Sequence, residues 1–364
     1  MDMESPNYLA TYFIVTFLLL THKSYAESNV KQILQLTDFH YDPDYSTQGN
    51  AEKMCHTENS TDSKSALGEY GDYKCDAPLS LVEHAIRGAK SILPNPELIL
   101  WTGDNVPHID GYNEDYTINV IGKTTNLLRD IFPGVLVLPV FGNHDYAPAS
   151  DFPDFQTNIY YRTYQLWKPW IGEQAESTFL IGGFYKYITS DGTIFLMLNT
   201  NLYYKYNKAV FSNKSDPAGQ FQFMENTLEE AKGQNVHDNA GNAVQLMLMS
   251  PGVTPWYSDW SLDSRNPAFR VFDYEPTTWR YNDIRTYWIN LDELNKNKST
   301  TWSLEYSMKS AYKLDEISPQ SFAKIVGKFK SDKKEDNSYF VDYMTYNTVQ
   351  WNTSVPTGAD RQVV

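Results

Sequence analysis

Basic residues are scarce in this chain of 364 residues: 30 Lys and Arg stand against 45 Asp and Glu, a formal net charge of −15. Phosphate backbones are held by clustered Lys and Arg, so this balance excludes nucleic-acid polymers as partners. Cysteine is scarcer still, with only Cys55 and Cys75, and their spacing is far from the C-x2-C of a zinc site. Histidine occurs seven times and never after His237. There is no fixed-period repeat, heptad run or low-complexity tract, which excludes solenoids and long coiled coils. The apolar run Tyr8–Leu20 has 13 residues, short of the roughly 20 that span a bilayer.

What is present suits a packed globule. The chain is 41% hydrophobic, with 27 Tyr, 18 Phe and 9 Trp, enough to bury a large core. Its length fits one large domain or two of ordinary size. Tyr8–Leu20 followed by Ser24-Tyr25-Ala26 reads as a secretory signal peptide, residues 1–26, although Asp2 and Glu4 are acidic where a basic segment is usual. The expected destination is secreted or extracellular, with the lysosome a further possibility. Four N-x-S/T sequons, at Asn59, Asn213, Asn297 and Asn352, lie in polar stretches suited to glycosylated loops. In an oxidising compartment Cys55 and Cys75 would close one loop, worth roughly 3 kcal/mol in the chain-entropy model; two buried free thiols are the alternative.

From Lys31 to Phe141 short apolar strands alternate with amphipathic helices, the pattern of an α/β sheet with crossover connections. Strands are expected at Ile33–Thr37, Leu98–Trp101 and Val135–Val140, and helices at Pro78–Leu93 and Thr117–Phe132. Later come strands at Thr193–Leu198 and Ala243–Met249, with a helix at Gln220–Lys232 between them. Beyond a loose boundary near Tyr281 the spacing predicts helices at Asp283–Leu294, Ser303–Tyr312 and Ser318–Lys328. This divides the chain into a catalytic region, 27–281, and a helical C-terminal region or cap, 282–364.

The chemistry-bearing residues follow the strands. The first strand ends in Asp38-Phe39-His40, the second in Gly103-Asp104-Asn105, the third in Gly142-Asn143-His144-Asp145. In open α/β sheets the carboxyl ends of the strands form the ligand crevice. Carboxylate, amide and imidazole donors gathered there suit a divalent transition metal such as zinc, and Asp104 could bridge two ions. The glycines before Asp104 and Asn143 allow a tight turn. Asp145 could orient His144 or cap the turn.

The series D-x-H, G-D-x, G-N-H-D, in that order after three apolar strands, resembles the calcineurin-like metallophosphoesterase superfamily. Leu36-Thr37-Asp38-Phe39-His40, Trp101-Thr102-Gly103-Asp104, Pro107-His108 and Pro251-Gly252-Val253-Thr254-Pro255 resemble its acid sphingomyelinase-like phosphodiesterases. The resemblance implies a metallophosphoesterase-like sheet flanked by helices, with Asp38, His40 and Asp104 holding one zinc and Asp104 and Asn143 sharing a second. It implies that His144 and His108 face the substrate phosphate, with a metal-bound hydroxide attacking phosphorus and a protonated His144 assisting. No six-cysteine saposin-like stretch stands before Ile33, which implies small phosphodiesters or nucleotides over bulk sphingomyelin, with peripheral membrane contact left open.

The resemblance is interrupted. Two later blocks of the family, G-H-x-P and G-H-x-H, are missing, as though a segment had been excised near 236–238. With them go three histidine ligands and part of the core. His84, on a helix, is expected to pack or face solvent; His56 sits beside Cys55; His237 stands at the junction. Two readings follow: a secreted zinc phosphodiesterase, or a catalytically inactive secreted glycoprotein of the same family that binds one metal weakly or none.

Overall fold

The computed structural model describes residues 16–18, 30–57, 66–210, 215–232, 248–256, 264–298, 301–329 and 337–350. The expected sites Asn59, Asn213, Asn352 and His237 lie outside them, as does the expected strand at Ala243–Met249 up to residue 247; Leu248 and Met249 are not in a strand.

Thr16–Leu18 forms a short strand, β1, within the expected leader; the next strands are β2 (Lys31–Leu36), β3 (Leu98–Trp101) and β4 (Val137–Pro139). The latter two are joined by parallel pairing to β2 and to each other in turn, with Ile33 opposite Leu98 and Ile99 opposite Val137. Parallel neighbours need crossovers, supplied here by helices α1 (Leu79–Ile92) and α2 (Glu114–Ile131). The first buries Leu81, Val82, Ala85, Ile86 and Ala89, the apolar face expected from spacings of three and four. The second starts three residues before the expected Thr117, because the Asn113 side chain accepts the Tyr116 N–H at 2.9 Å and Glu114 and Asp115 favour the helix N-terminus.

Helices α3 (Asn158–Ile171) and α4 (Glu176–Gly182), for which the sequence pattern gave no expectation, lead into the hairpin β5 (Tyr185–Ile188) and β6 (Ile194–Met197). On its other edge β6 pairs antiparallel with β1, making a three-stranded sheet. The expected helix α5 (Gln220–Lys232) follows.

Strands β7 (Ala268–Tyr274), β8 (Tyr281–Trp288) and β9 (Ser303–Ser307) complete a six-stranded sheet in the order β4-β3-β2-β7-β8-β9. The antiparallel pairing of β7 with β2 leaves this sheet without a break.

Two expected helices are corrected here. Tyr281–Trp288 is a strand whose Ile284 and Thr286 are buried between more exposed neighbours. Its content of Tyr, Thr, Ile and Trp favours a strand over a helix. The helical stretch is only α6 (Leu291–Asn297), capped by Asn290. Ser303–Ser307 is the outermost strand, mostly solvent-facing, and α7 (Met308–Ala311) is a single turn after it. Edge strands present polar faces, which a periodicity reading takes for a helix surface. Helix α8 (Pro319–Phe329) matches expectation and α9 (Asn337–Asn347) packs on it. The boundary near Tyr281 therefore falls at the start of a sheet strand.

Behind the strand ends sits an aromatic core. Trp101, the last residue of β3, is fully buried, with Trp167 of α3 at a ring distance of 5.5 Å. Phe141 packs on Trp167 (5.2 Å) and Phe179 (5.5 Å). Phe141 immediately precedes Gly142, so core packing fixes where that loop begins.

Candidate metal centre

The parallel register brings three strand ends to one rim, and backbone hydrogen bonds continue past them. Asp38 N–H donates to Gly103 O (3.0 Å), His40 N–H to Asp104 O (2.9 Å) and Tyr41 N–H to Asn105 O (2.7 Å). Gly103, at φ +85°, lies so close to the next loop that a Cβ would stand 2.1 Å from Gly142 N; at Gly142 a Cβ would stand 2.2 Å from Asp104 Oδ1. Both glycines are required by this approach. Asp38, His40 and Asp104 adopt φ values of 50°, 38° and 54°, left-handed backbone that costs a residue with a Cβ about 1–2 kcal/mol. Such strain clusters at functional sites.

The side chains converge. One ligand atom from each of Asp38, His40 and Asp104 lies within 4.8 Å of the other two, and His40 Nε2 is 3.8 Å from Asp104 Oδ2. Each donor is aimed by its second atom. Asp38 Oδ1 accepts the Thr37 hydroxyl (2.8 Å), His40 Nδ1 meets Val106 O (2.7 Å), and Asp104 Oδ1 accepts the His144 N–H (2.8 Å). A carbonyl partner at Nδ1 makes that atom the protonated one and leaves Nε2 as a lone-pair donor.

The electrostatics suit a cation. Burial, then the charges of Asp38 and Asp145, push the Asp104 carboxyl well above its usual range. Burial raises Asp38 too, partly offset by Thr37 and the charge of Arg265. Burial and the neighbouring His108 and His144 hold His40 well below the usual imidazole value, which favours the neutral form that can ligate a metal. Two crowded carboxylates and a neutral imidazole fit a divalent metal.

The other predicted residues surround this trio. Asn143 is exposed on the rim between Gly142 and His144, and its carbonyl accepts the Ser150 N–H. His144 and His108 both reach His40, with ring centroids at 5.2 and 4.0 Å, and lie 4.3 Å from each other. Among the described residues His144 Nδ1 is buried without a hydrogen bond. Burial and the adjacent His108 push His144 down to about 3, which favours the neutral imidazole. Asp145 caps the turn: it accepts the N–H groups of Gly142 (2.9 Å), Asp104 (3.0 Å) and Asn105 (2.7 Å).

The peripheral histidines are both tied to neighbours away from this trio. His84 Nδ1 accepts the Trp302 indole N–H (3.1 Å), and His56 Nε2 meets the buried Asp42 (2.7 Å). Cys55 and Cys75 are bonded to each other, both buried, with Cα atoms 5.8 Å apart. Asn297 is exposed at the end of α6.

Two side chains that hold His108 escaped the sequence reading. Asp76, fully buried, holds His108 Nδ1 with both oxygens at 3.0 Å. Trp256 stacks on the His108 ring at 4.0 Å. Asp76 follows Cys75 in a loop legible only as a disulfide loop, and Trp256 follows the Pro251–Pro255 run; neither spacing announces a contact with His108. Both histidines and Trp256 line a cleft of about 1100 Å³.

Comparison with known proteins gives the family. Residues 31–244 match the family described as calcineurin-like phosphoesterase. The chain belongs to that family. Residues 242–362 match the acid sphingomyelin phosphodiesterase C-terminal region. The chain is similar to human acid sphingomyelinase-like phosphodiesterase 3b, 30% identical over 88% of this chain and 83% of the relative. It is 29% identical to human cyclic GMP-AMP phosphodiesterase SMPDL3A, over 90% of this chain and 84% of the relative. A sphingomyelinase phosphodiesterase C of Dictyostelium discoideum is 26% identical, over 87% and 85%. The alignment with the 3b relative runs over 385 residues, although 88% of this 364-residue chain is only about 320 residues. The difference is sequence of the relative with no counterpart here.

Proposed function

We propose that this protein is a secreted, metal-dependent phosphodiesterase acting on small nucleotide-like or lipid-derived phosphodiesters. One observation carries the reading: the donors of Asp38, His40 and Asp104 converge beside two further imidazoles that face a cleft. These three residues would hold a zinc ion, and Asp104 with Asn143 would contribute to a second. Such a cation supplies Lewis acidity, polarising a phosphoryl oxygen and acidifying water.

The chain's own groups do the rest. His108, with Nδ1 tied to Asp76, would turn Nε2 toward the bound phosphate, where it accepts a proton when neutral and donates one only once it carries a second proton. His144 is neutral before substrate arrives, and the negative charge of a phosphodiester favours its taking up a proton. Its backbone N–H orients Asp104. The proposal takes residues 1–26 as a leader, 27–281 as the catalytic region and 282–364 as the C-terminal region. Recovery of a secreted product beginning at Glu27 would support the leader, and its removal would take β1 off β6.

The competing reading, an inactive glycoprotein, draws on the absence of any histidine after His237. That leaves the Asn143 side of the centre poor in ligands, and the family's two-ion complement reduced to one weak site or none. Zinc-loaded protein should hydrolyse bis-p-nitrophenyl phosphate and lose turnover with Asp104→Asn. Absence of turnover in the purified, zinc-supplemented chain would overturn the enzymatic reading. Two tightly held ions per chain would overturn the inactive one.

A further inference from the structure

The Pro251–Pro255 run is laid across the metal centre. Val253 N–H donates to Thr37 O (3.2 Å) and Thr254 N–H to Asp38 O (2.9 Å). At Gly252 a Cβ would stand 2.9 Å from Asp38 Cβ. This docking delivers the next residue, Trp256, flat onto the imidazole of His108, with centroids 4.0 Å apart and planes at 13°. His40 stacks on His108 as well, at 4.0 Å and 30°. Two rings cannot share one face at such distances, so His108 is sandwiched between them.

In its own plane the imidazole is held by Asp76, whose two oxygens lie 3.0 Å from Nδ1. Asp76 is itself fixed by the Thr254 hydroxyl (3.0 Å), two residues before Trp256. The same run therefore sets the carboxylate that aims His108 and the ring that covers it. Trp256 is only partly buried and lines the cleft, so it is no core residue whose role ends at packing. A His side chain turns through broad χ2 wells unless neighbours restrict it; here both faces and one edge are taken.

We propose that Trp256 is a positioning residue for His108, holding the imidazole plane so that Nε2 stays directed at the substrate phosphate. This rests on the reading that His108 faces that phosphate. A misplacement of about 1 Å in a reacting group can cost 100-fold in rate, so loosening His108 should appear in turnover more than in binding.

The test compares Trp256→Ala and Trp256→Phe with wild type in the zinc-supplemented full chain. For Trp256→Ala, kcat on bis-p-nitrophenyl phosphate should fall about 10- to 100-fold with KM within about twofold, and Trp256→Phe should recover most of it. In a His108→Ala background, Trp256→Ala should add no further loss. Independently of activity, histidine-selective NMR should show His108 ring protons displaced upfield by the indole, an effect removed in Trp256→Ala and kept in part by Trp256→Phe; His108→Ala assigns the signals. Unchanged kcat, a rise in KM alone, or additive losses would overturn the proposal. Should wild type show no turnover, the enzymatic reading fails separately, and unmoved His108 resonances in Trp256→Ala would then overturn the placement by themselves.

Discussion

The backbone N–H of Asp104 donates to Asp145 Oδ2 at 3.0 Å, joining the second strand-end loop to the third. The same buried carboxylate accepts the N–H groups of Gly142 and Asn105, so one side chain sets the distance between the donors of the centre. Asp145→Ala strands three buried donors. It should cost about 3–4 kcal/mol and weaken metal binding, checked by urea unfolding and zinc titration. A loss below about 1 kcal/mol would show that water replaces the carboxylate.

Asp104 trades stability for metal. Burial and the Asp38 charge disfavour its ionised form, while Asn at this position keeps an oxygen for the His144 N–H. In chelator Asp104→Asn should melt higher than wild type, by about 1–2 kcal/mol of stability. With excess zinc the order should reverse, because zinc affinity drops at least about 100-fold. Melting curves with and without zinc decide it.

Glu305 in β9 should make stability depend on pH. Its Oε2 is buried without a partner among the described residues, and burial pushes the carboxyl up to about 8. The unfolded group releases its proton near 4.5. Between these values the folded state holds more protons, so stability falls as pH rises and levels off above about 8. Glu305→Gln should remove that slope, gaining on the order of 5 kcal/mol at pH 9 and nothing at pH 4. Parallel slopes in thermal melts would count against it.

The Cys55–Cys75 bond closes a loop whose ends are 20 residues apart. Replacing both cysteines by serine should cost about 2–4 kcal/mol. Asp76 adjoins Cys75, so His108 should also lose order. Zinc content should hold, because Asp38, His40 and Asp104 lie outside that loop. Calorimetry and metal analysis of the double variant test both halves.

The local pattern of this sequence was enough to determine β2, β3, α1, α2 and α5, because a buried strand or an amphipathic helix writes its period into consecutive residues. The strand-end donors Asp38, His40, Asp104 and His144 were legible for the same reason: each follows directly on its strand. The strands at Tyr281–Trp288 and Ser303–Ser307 were misread, since a half-exposed or edge strand carries polar residues that mimic a helix surface. Asp76 and Trp256 reach His108 from 32 and 148 positions away, through loops whose course depends on the disulfide and on the docking of Pro251–Pro255. Asp145 had two equal readings until the fold placed three N–H groups around it. Periodicity reports which face of an element is buried; only tertiary packing decides which distant loops meet, because that choice belongs to the whole core and to no window of sequence.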